Sequence, residues 1–155
     1  MPHINEKIDF TVEAFIVHNN RVLLRKHDKY KLWLGVGGHI ERDEDPIEAI
    51  LREVKEEVGL SVNVIGTVPQ FDIQNYKELV PPAFLNRHRI SPTHEHVTLI
   101  YFASSDSDTI MQQEKEISDD CKWFSAEELA GTVDTLTDSV RHYAQAALKA
   151  AKSKL

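Results

Sequence analysis

Three glutamates, Glu53, Glu56 and Glu57, fall within the run REVKEEVGL. On a helix, residues three and four apart are neighbours, so these carboxylates crowd together and repel. They also sit in its last two turns, at the negative end of the helix dipole, where acidic groups are disfavoured. Hard divalent cations such as magnesium take oxygen ligands, and clustered carboxylates are the main ones a protein supplies. The chemistry these residues point to is metal binding. Arg52 lies four residues after Glu48 and four before Glu56. It can pair with either, and so hold a carboxylate in position.

A helix must carry these groups, and its ends are readable. Pro46 suits the first helical position, and Asp45 before it suits the cap. Gly59 suits the residue just past the end, where a left-handed conformation is required. Ile47, Leu51, Val54 and Val58 recur at helical spacing and predict an apolar stripe. At about 100° per residue, that stripe is expected well over a quarter turn from the glutamates. Ahead of the helix, Gly35-Val36-Gly37-Gly38 lets backbone approach a ligand closely.

Other elements follow from hydrophobic patterning. Residues 9–17 and 21–26 read as strands, with His18-Asn19-Asn20 as a tight turn between them. A short strand is expected at 32–36, another at 61–68, and a central one at 96–104. Residues 122–124 form a further strand candidate. Ser125 then opens a helix, with Glu128 completing a capping box. A last helix is predicted from 138 to near 152, with Val140, Tyr143, Ala147 and Ala150 or Ala151 as its apolar positions. Residues 69–95 read as one long, proline-containing loop that shapes a pocket. Mixed strands and helices of this kind give an α/β or α+β sandwich. No internal repeat or low-complexity linker interrupts the chain, so residues 1–155 are expected to be one domain.

Composition sets outer bounds. Hydrophobic residues make up 41% and charged residues 28%, ordinary values for a globular protein. A formal net charge of −7 argues against broad affinity for nucleic acid or membrane. It leaves room for a phosphorylated small molecule, because a metal supplies positive charge locally. Cys121 is the only cysteine, which excludes a disulfide framework and a cysteine-rich zinc site. No secretory signal or bilayer-spanning segment is visible, and the expected location is cytoplasmic.

The segment Gly38–Leu60 resembles the Nudix box of the Nudix hydrolases. Gly38, Glu44, Arg52, Glu53, Val54, Glu56, Glu57, Gly59 and Leu60 match its fixed positions. The resemblance implies a Nudix-type α/β/α sandwich, with a mixed sheet between helices. It implies cleavage of a nucleoside diphosphate derivative or nucleoside triphosphate by attack of water on phosphorus. Magnesium, with manganese as a substitute, is the implied cofactor. Glu56 and Glu57 then look like metal ligands, and the Gly37 carbonyl like a backbone ligand. Glu53 looks like a further ligand or the group that activates water, and Glu44 like a structural tie between loop and helix. A glutamate outside the box is an alternative base, and of Glu114 and Glu116 the second is favoured, although EKEISDD also reads as a solvated charge run. The family includes monomers, and a homodimer is the other implied state.

Basic residues complete the candidate site. Arg25 ends the second strand, where relatives place a phosphate contact, and a surface ion pair is the other reading. Arg87, His88 and Arg89 form a basic group for a phosphate or an acidic substrate tail, or lie on a solvated loop. His94-Glu95-His96 has metal-ligand residue types; on a strand the two histidines share a side, and a structural or surface role is favoured. His39 receives no role. Val36 stands where many relatives have proline, and no proline spacing marks an ADP-ribose enzyme, so the substrate branch stays open. A nucleotide-sensing binding module of the same fold is the alternative function. Such sensors commonly lose box glutamates, and this chain keeps them.

Overall fold

The structure is a computed structural model that describes residues 3–112 and 120–153. Strand β1 (Ile8–His18) organises the sheet. Its even residues Val12, Ala14 and Ile16 enter one apolar cluster, and its odd residues Phe15 and Val17 enter another. That period of two is the pleat of a strand buried on both faces. Strand β2 (Arg21–Lys26) folds back on it, with His18 opposite Arg21. Asn19 and Asn20 make the connection at φ 47° and 60°. Asparagine tolerates this left-handed region, and such turns match the twist of a hairpin.

Strands β3 (Trp33–Leu34) and β4 (Val36–His39) follow. Then come helix α1 (Pro46–Val58), β5 (Val62–Val64), β6 (Phe84–Ser91) and β7 (His94–Ser105). Strand β8 (Asp120–Ser125), helix α2 (Ala126–Ala130) and helix α3 (Asp138–Ser153) complete the order. The sheet runs β3-β2-β1-β7-β5, with β4 also on β1, β6 on β7 and β8 on β2. Strands β1 and β7 are parallel, from Ile8 opposite Glu95 to Val17 opposite Ser104. The other pairings are antiparallel. Helix α1 covers one face through Ile50, Val54 and Val58, and α3 covers the other through Val140, Ala144 and Leu148. This is the expected α/β/α sandwich with a mixed sheet. No helix among the described residues is long and apolar enough to cross a membrane.

Several expectations need correction. The strand expected over 32–36 divides into β3 and β4, and Gly37 and Gly38 lie within β4, paired along β1 with Gly37 opposite Glu13. The strand expected over 61–68 stops at Val64, shortly before Gly66 at φ 154°. Residues 69–95 are not one loop, because β6 occupies Phe84–Ser91. Its sequence, FLNRHRIS, lacks clean alternation; pairing with β7 from Phe84–Ile100 to Ser91–His94 is what holds it extended. On α3 the buried positions are Val140, Ala144, Ala147 and Leu148, and Tyr143 is only partly covered.

Candidate active site

Helix α1 is fixed at both ends. The Asp45 carboxylate accepts the Ile47 and Glu48 amides at 2.8 and 2.9 Å, and the Glu48 carboxylate accepts the Asp45 amide at 2.8 Å. Such a cap contributes about 1 kcal/mol. Gly59 ends the helix at φ 74°, where a side chain would be strained.

The apolar stripe differs from expectation. Leu51 is 44% exposed, whereas Glu53 and Glu57 are buried with Ile50, Val54 and Val58. The glutamate face and the apolar face are contiguous. At about 100° per residue, Glu57 projects within about 20° of Ile50. Burying two carboxylates beside a core demands charge partners, and two arginines supply them.

Arg52 is the hub. Its Nε and Nη2 donate to Glu44 Oε2 and Oε1 at 3.0 and 2.6 Å, a bidentate clamp. Its Nη2 also donates to the His39 carbonyl at 3.0 Å, and its Nη1 to Glu53 at 2.9 Å and Glu56 at 3.4 Å. Arg25 Nη1 donates to Glu57 Oε2 at 2.8 Å. The Arg52 hydrogen bonds hold the Glu44 carboxyl below its ordinary range, and Glu44 in turn raises the guanidinium. Burial pushes the Glu53 carboxyl up, against the opposing pull of Arg52.

Gly38 explains why the strand must approach so closely. A Cβ there would lie 2.4–2.9 Å from the Glu53 carboxylate atoms. Only a residue without a side chain leaves room for that carboxylate over β4. Within this cluster Glu44, Glu53, Glu56 and Glu57 face Arg25 and Arg52, which leaves a formal excess of two negative charges. The exposed Glu41, 3.8 Å from Arg52, adds to the excess. A divalent cation with oxygen ligands matches both the charge and the donor chemistry.

The structure therefore brings Arg25, Arg52, Glu53, Glu56 and Glu57 together beside the β4 segment that holds Gly37 and Gly38. It does not bring Arg87 and Arg89 to them. Both lie on β6, three strand spacings from β4, or about 14 Å. Arg87 is engaged by Glu95 through Nε and Nη2 at 2.9 and 3.0 Å. Glu114 and Glu116 lie outside the described residues. Trp33 and Tyr101 are buried.

Two residues near the site escape a reading by chain distance. Cys121 is remote in sequence, yet β8 sets it opposite Arg25. Burial pushes its thiol up to about 11, so it stays uncharged near neutrality. Glu13 sits in a central strand opposite Gly37 and accepts the Gly35 amide; burial pushes its carboxyl up to about 7. A lone glutamate within the apolar run FTVEAFIV is the signal that marks it.

The chain matches known proteins over most of its length. A family model described as NUDIX domain matches residues 9–146. A solved hydrolase of the NUDIX family from Clostridium perfringens is 35% identical, with a TM-score of 0.82, covering 91% of this chain and 96% of that one. The m7GpppN-mRNA hydrolase NUDT17 of Xenopus laevis is 29% identical over 119 residues, which is 70% of this chain and 38% of that protein. An RNA pyrophosphohydrolase of Acidiphilium cryptum (strain JF-5) is 38% identical over 58 residues, 37% of this chain and 35% of that protein. The matches span little more than a third of these two curated relatives.

Proposed function

The chain belongs to the Nudix hydrolase family, and on that premise we propose that it is a magnesium-dependent pyrophosphohydrolase. Its substrate is a nucleoside diphosphate derivative or nucleoside triphosphate, cleaved by water attack on phosphorus. The observation that carries this reading is the cluster at α1, where four carboxylates, two of them buried, face two guanidinium groups and leave a formal excess of two negative charges.

Glu53, Glu56, Glu57 and the Gly37 carbonyl would hold the metal. When bound, magnesium, or manganese in its place, neutralises diphosphate oxygens and makes phosphorus more electrophilic. Arg52 keeps Glu53 and Glu56 aligned while the Glu44 clamp anchors Arg52 itself. Arg25, now on Glu57, is the cation we assign to a substrate phosphate, and this requires Glu57 to exchange that partner for the metal. Where Glu53 is not a metal ligand, it is the base we propose within the box, held beside the site by Arg52. Glu116 is the base we propose from outside it. Arg87 and Arg89 would serve only the distal end of a long substrate. Two relatives are named for RNA substrates. The net charge of −7 supports a small nucleotide instead.

The test is a substrate panel. Nucleotides, dinucleoside polyphosphates, sugar nucleotides, ADP-ribose and a capped oligonucleotide are incubated with the protein, with and without magnesium. Magnesium-dependent release of phosphate or nucleotide from a small-molecule member is expected. Turnover of the oligonucleotide alone contradicts the substrate class, and nucleotide binding without any turnover supports a sensor.

A further inference from the structure

On the sheet face opposite α1, imidazoles crowd around a single carboxylate. Asp9 is wholly buried, and its Oδ1 and Oδ2 accept the Asn5 and Ile4 amides at 2.7 and 3.0 Å. Around Oδ2 stand His39 Nε2 at 3.1 Å, His94 Nε2 at 3.3 Å and His3 Nδ1 at 3.5 Å. His96 completes the group, its ring centroid 5.0 Å from that of His39 and 5.3 Å from that of His94. One ligand atom each from His3, Asp9, His39 and His96 lies within 4.8 Å of all the others. Strand register produces the meeting, with Asp9 opposite His96 across β1–β7 and Thr11 opposite His39 across β1–β4.

Three of these nitrogens, the Nε2 atoms of His39, His94 and His96, are buried without an aligned hydrogen bond among the described residues. An orphaned buried polar atom is costly, and three occur together. His39 and His94 are close to Asp9 Oδ2 without hydrogen-bond alignment. The tautomer of His94 is fixed, because its Nδ1 lies 3.0 Å from the Glu6 carbonyl, which can only accept. In the neutral ring its Nε2 is therefore a bare lone pair. The carboxylate and the lone pair that every neutral imidazole carries are acceptors, and a shared cation satisfies them together.

We propose that His3, Asp9, His39 and His96 hold a divalent transition-metal ion of the zinc class, separate from the glutamate site, with His94 beside them. Imidazole nitrogen suits zinc and its neighbours, while magnesium demands oxygen. Metal–ligand bonds of about 2.0–2.1 Å in a tetrahedral site place ligand atoms about 3.3–3.4 Å apart, so atoms now within 4.8 Å of one another close on the ion by up to about 1.5 Å. The amide of His94's neighbour Glu95 is bonded to the Lys7 carbonyl, and His94 Nδ1 to that of Glu6. Both bonds hold the N-terminal segment that carries His3 against β7. The ion acts as a clip, tying residue 3 to β1, β4 and β7. It also fixes His39, whose carbonyl receives Arg52 Nη2, and so steadies the strand against which the glutamates are set.

The full chain, stripped with a chelator and held in excess magnesium, is titrated with zinc alone against a zinc-binding dye. One tightly held equivalent per chain is expected, and cobalt in its place should show the absorption of a nitrogen-ligated site. His96→Asn should weaken zinc binding about a hundredfold and His3→Ala, at the exposed edge, about tenfold, the range that lost ligand support commonly costs. Glu56→Gln should leave the zinc equivalent intact. Absence of a retained equivalent in the wild-type chain overturns the proposal. So does an equivalent that survives His3→Ala and His96→Asn unchanged, or one that Glu56→Gln removes. Should His96→Asn fail to fold, His3→Ala and the cobalt spectrum decide.

Discussion

Strand β4 separates two clusters that are built on opposite principles. Gly38 faces α1 and lies under the Glu53 carboxylate, while the next residue, His39, faces the other way toward Asp9. On the first side, oxygen donors are paired with arginines that already neutralise part of their charge. On the second, imidazole nitrogens surround one carboxylate, and three of them lack a hydrogen-bond partner among the described residues. The first arrangement is one in which a hard ion and a phosphorylated ligand can exchange for guanidinium contacts. The second has few alternatives to a resident ion. Ligand exchange suits turnover, and permanence suits structure.

Perturbing one cluster while reading the other tests this division. The largest effect is expected from Arg52→Ala, which leaves Glu44 and Glu53 without their shared cation. Removing one side of a largely buried pair costs about 3 kcal/mol, measurable by chemical denaturation. Arg52→Lys should recover only part of it, because ammonium cannot form the bidentate clamp. Glu57→Gln keeps the shape and removes a charge; hydrolysis should fall at least a hundredfold, or about 2.7 kcal/mol of barrier. Steady-state kinetics on a panel substrate would measure it.

Gly38→Ala is a steric test of the same cluster. Its methyl group meets the Glu53 carboxylate, and an expected loss of about tenfold in kcat corresponds to about 1.4 kcal/mol. An unchanged kcat would mean that Glu53 does not need that position.

The smallest effect belongs to Glu13, on the other face. Its carboxyl is raised from an ordinary 4.5 to about 7, so the folded chain holds a proton that the unfolded chain releases. This site's contribution to stability is full below pH 4.5 and is lost as pH rises through about 7. Glu13→Gln should abolish that slope and stabilise the protein at pH 8 by about 1 kcal/mol, after allowance for partial exposure. Melting curves across pH would read it, and a slope retained by the variant would contradict the assignment.

The difference between the clusters also sets how much of each was legible in the sequence. The glutamate helix is contiguous, so Asp45, Pro46, Gly59 and the spacing of Glu53, Glu56 and Glu57 carry its limits and its chemistry. The hairpin at Asn19-Asn20 and the capping box of Ser125 and Glu128 are local in the same way. Periodicity misjudged the buried face of α1, because paired carboxylates occupy positions reserved by habit for apolar groups, and Leu51 is left outside. Strand β6 is invisible to local pattern, since its support comes from β7. The histidine cluster draws on residues 3, 9, 39 and 96, which only sheet register brings together. His94 and His96 do share a side as alternation predicts, but their partners could not be named before β1 was set between β4 and β7.

The most direct test follows the attacking water. The panel substrate is hydrolysed in water enriched in oxygen-18 with magnesium present, and the products are weighed by mass spectrometry. One labelled oxygen should enter a phosphoryl product with the wild-type chain, and its rate of entry should fall at least about a hundredfold in Glu57→Gln. Label absent from every phosphoryl product, or entering at the wild-type rate in that variant, would contradict the account.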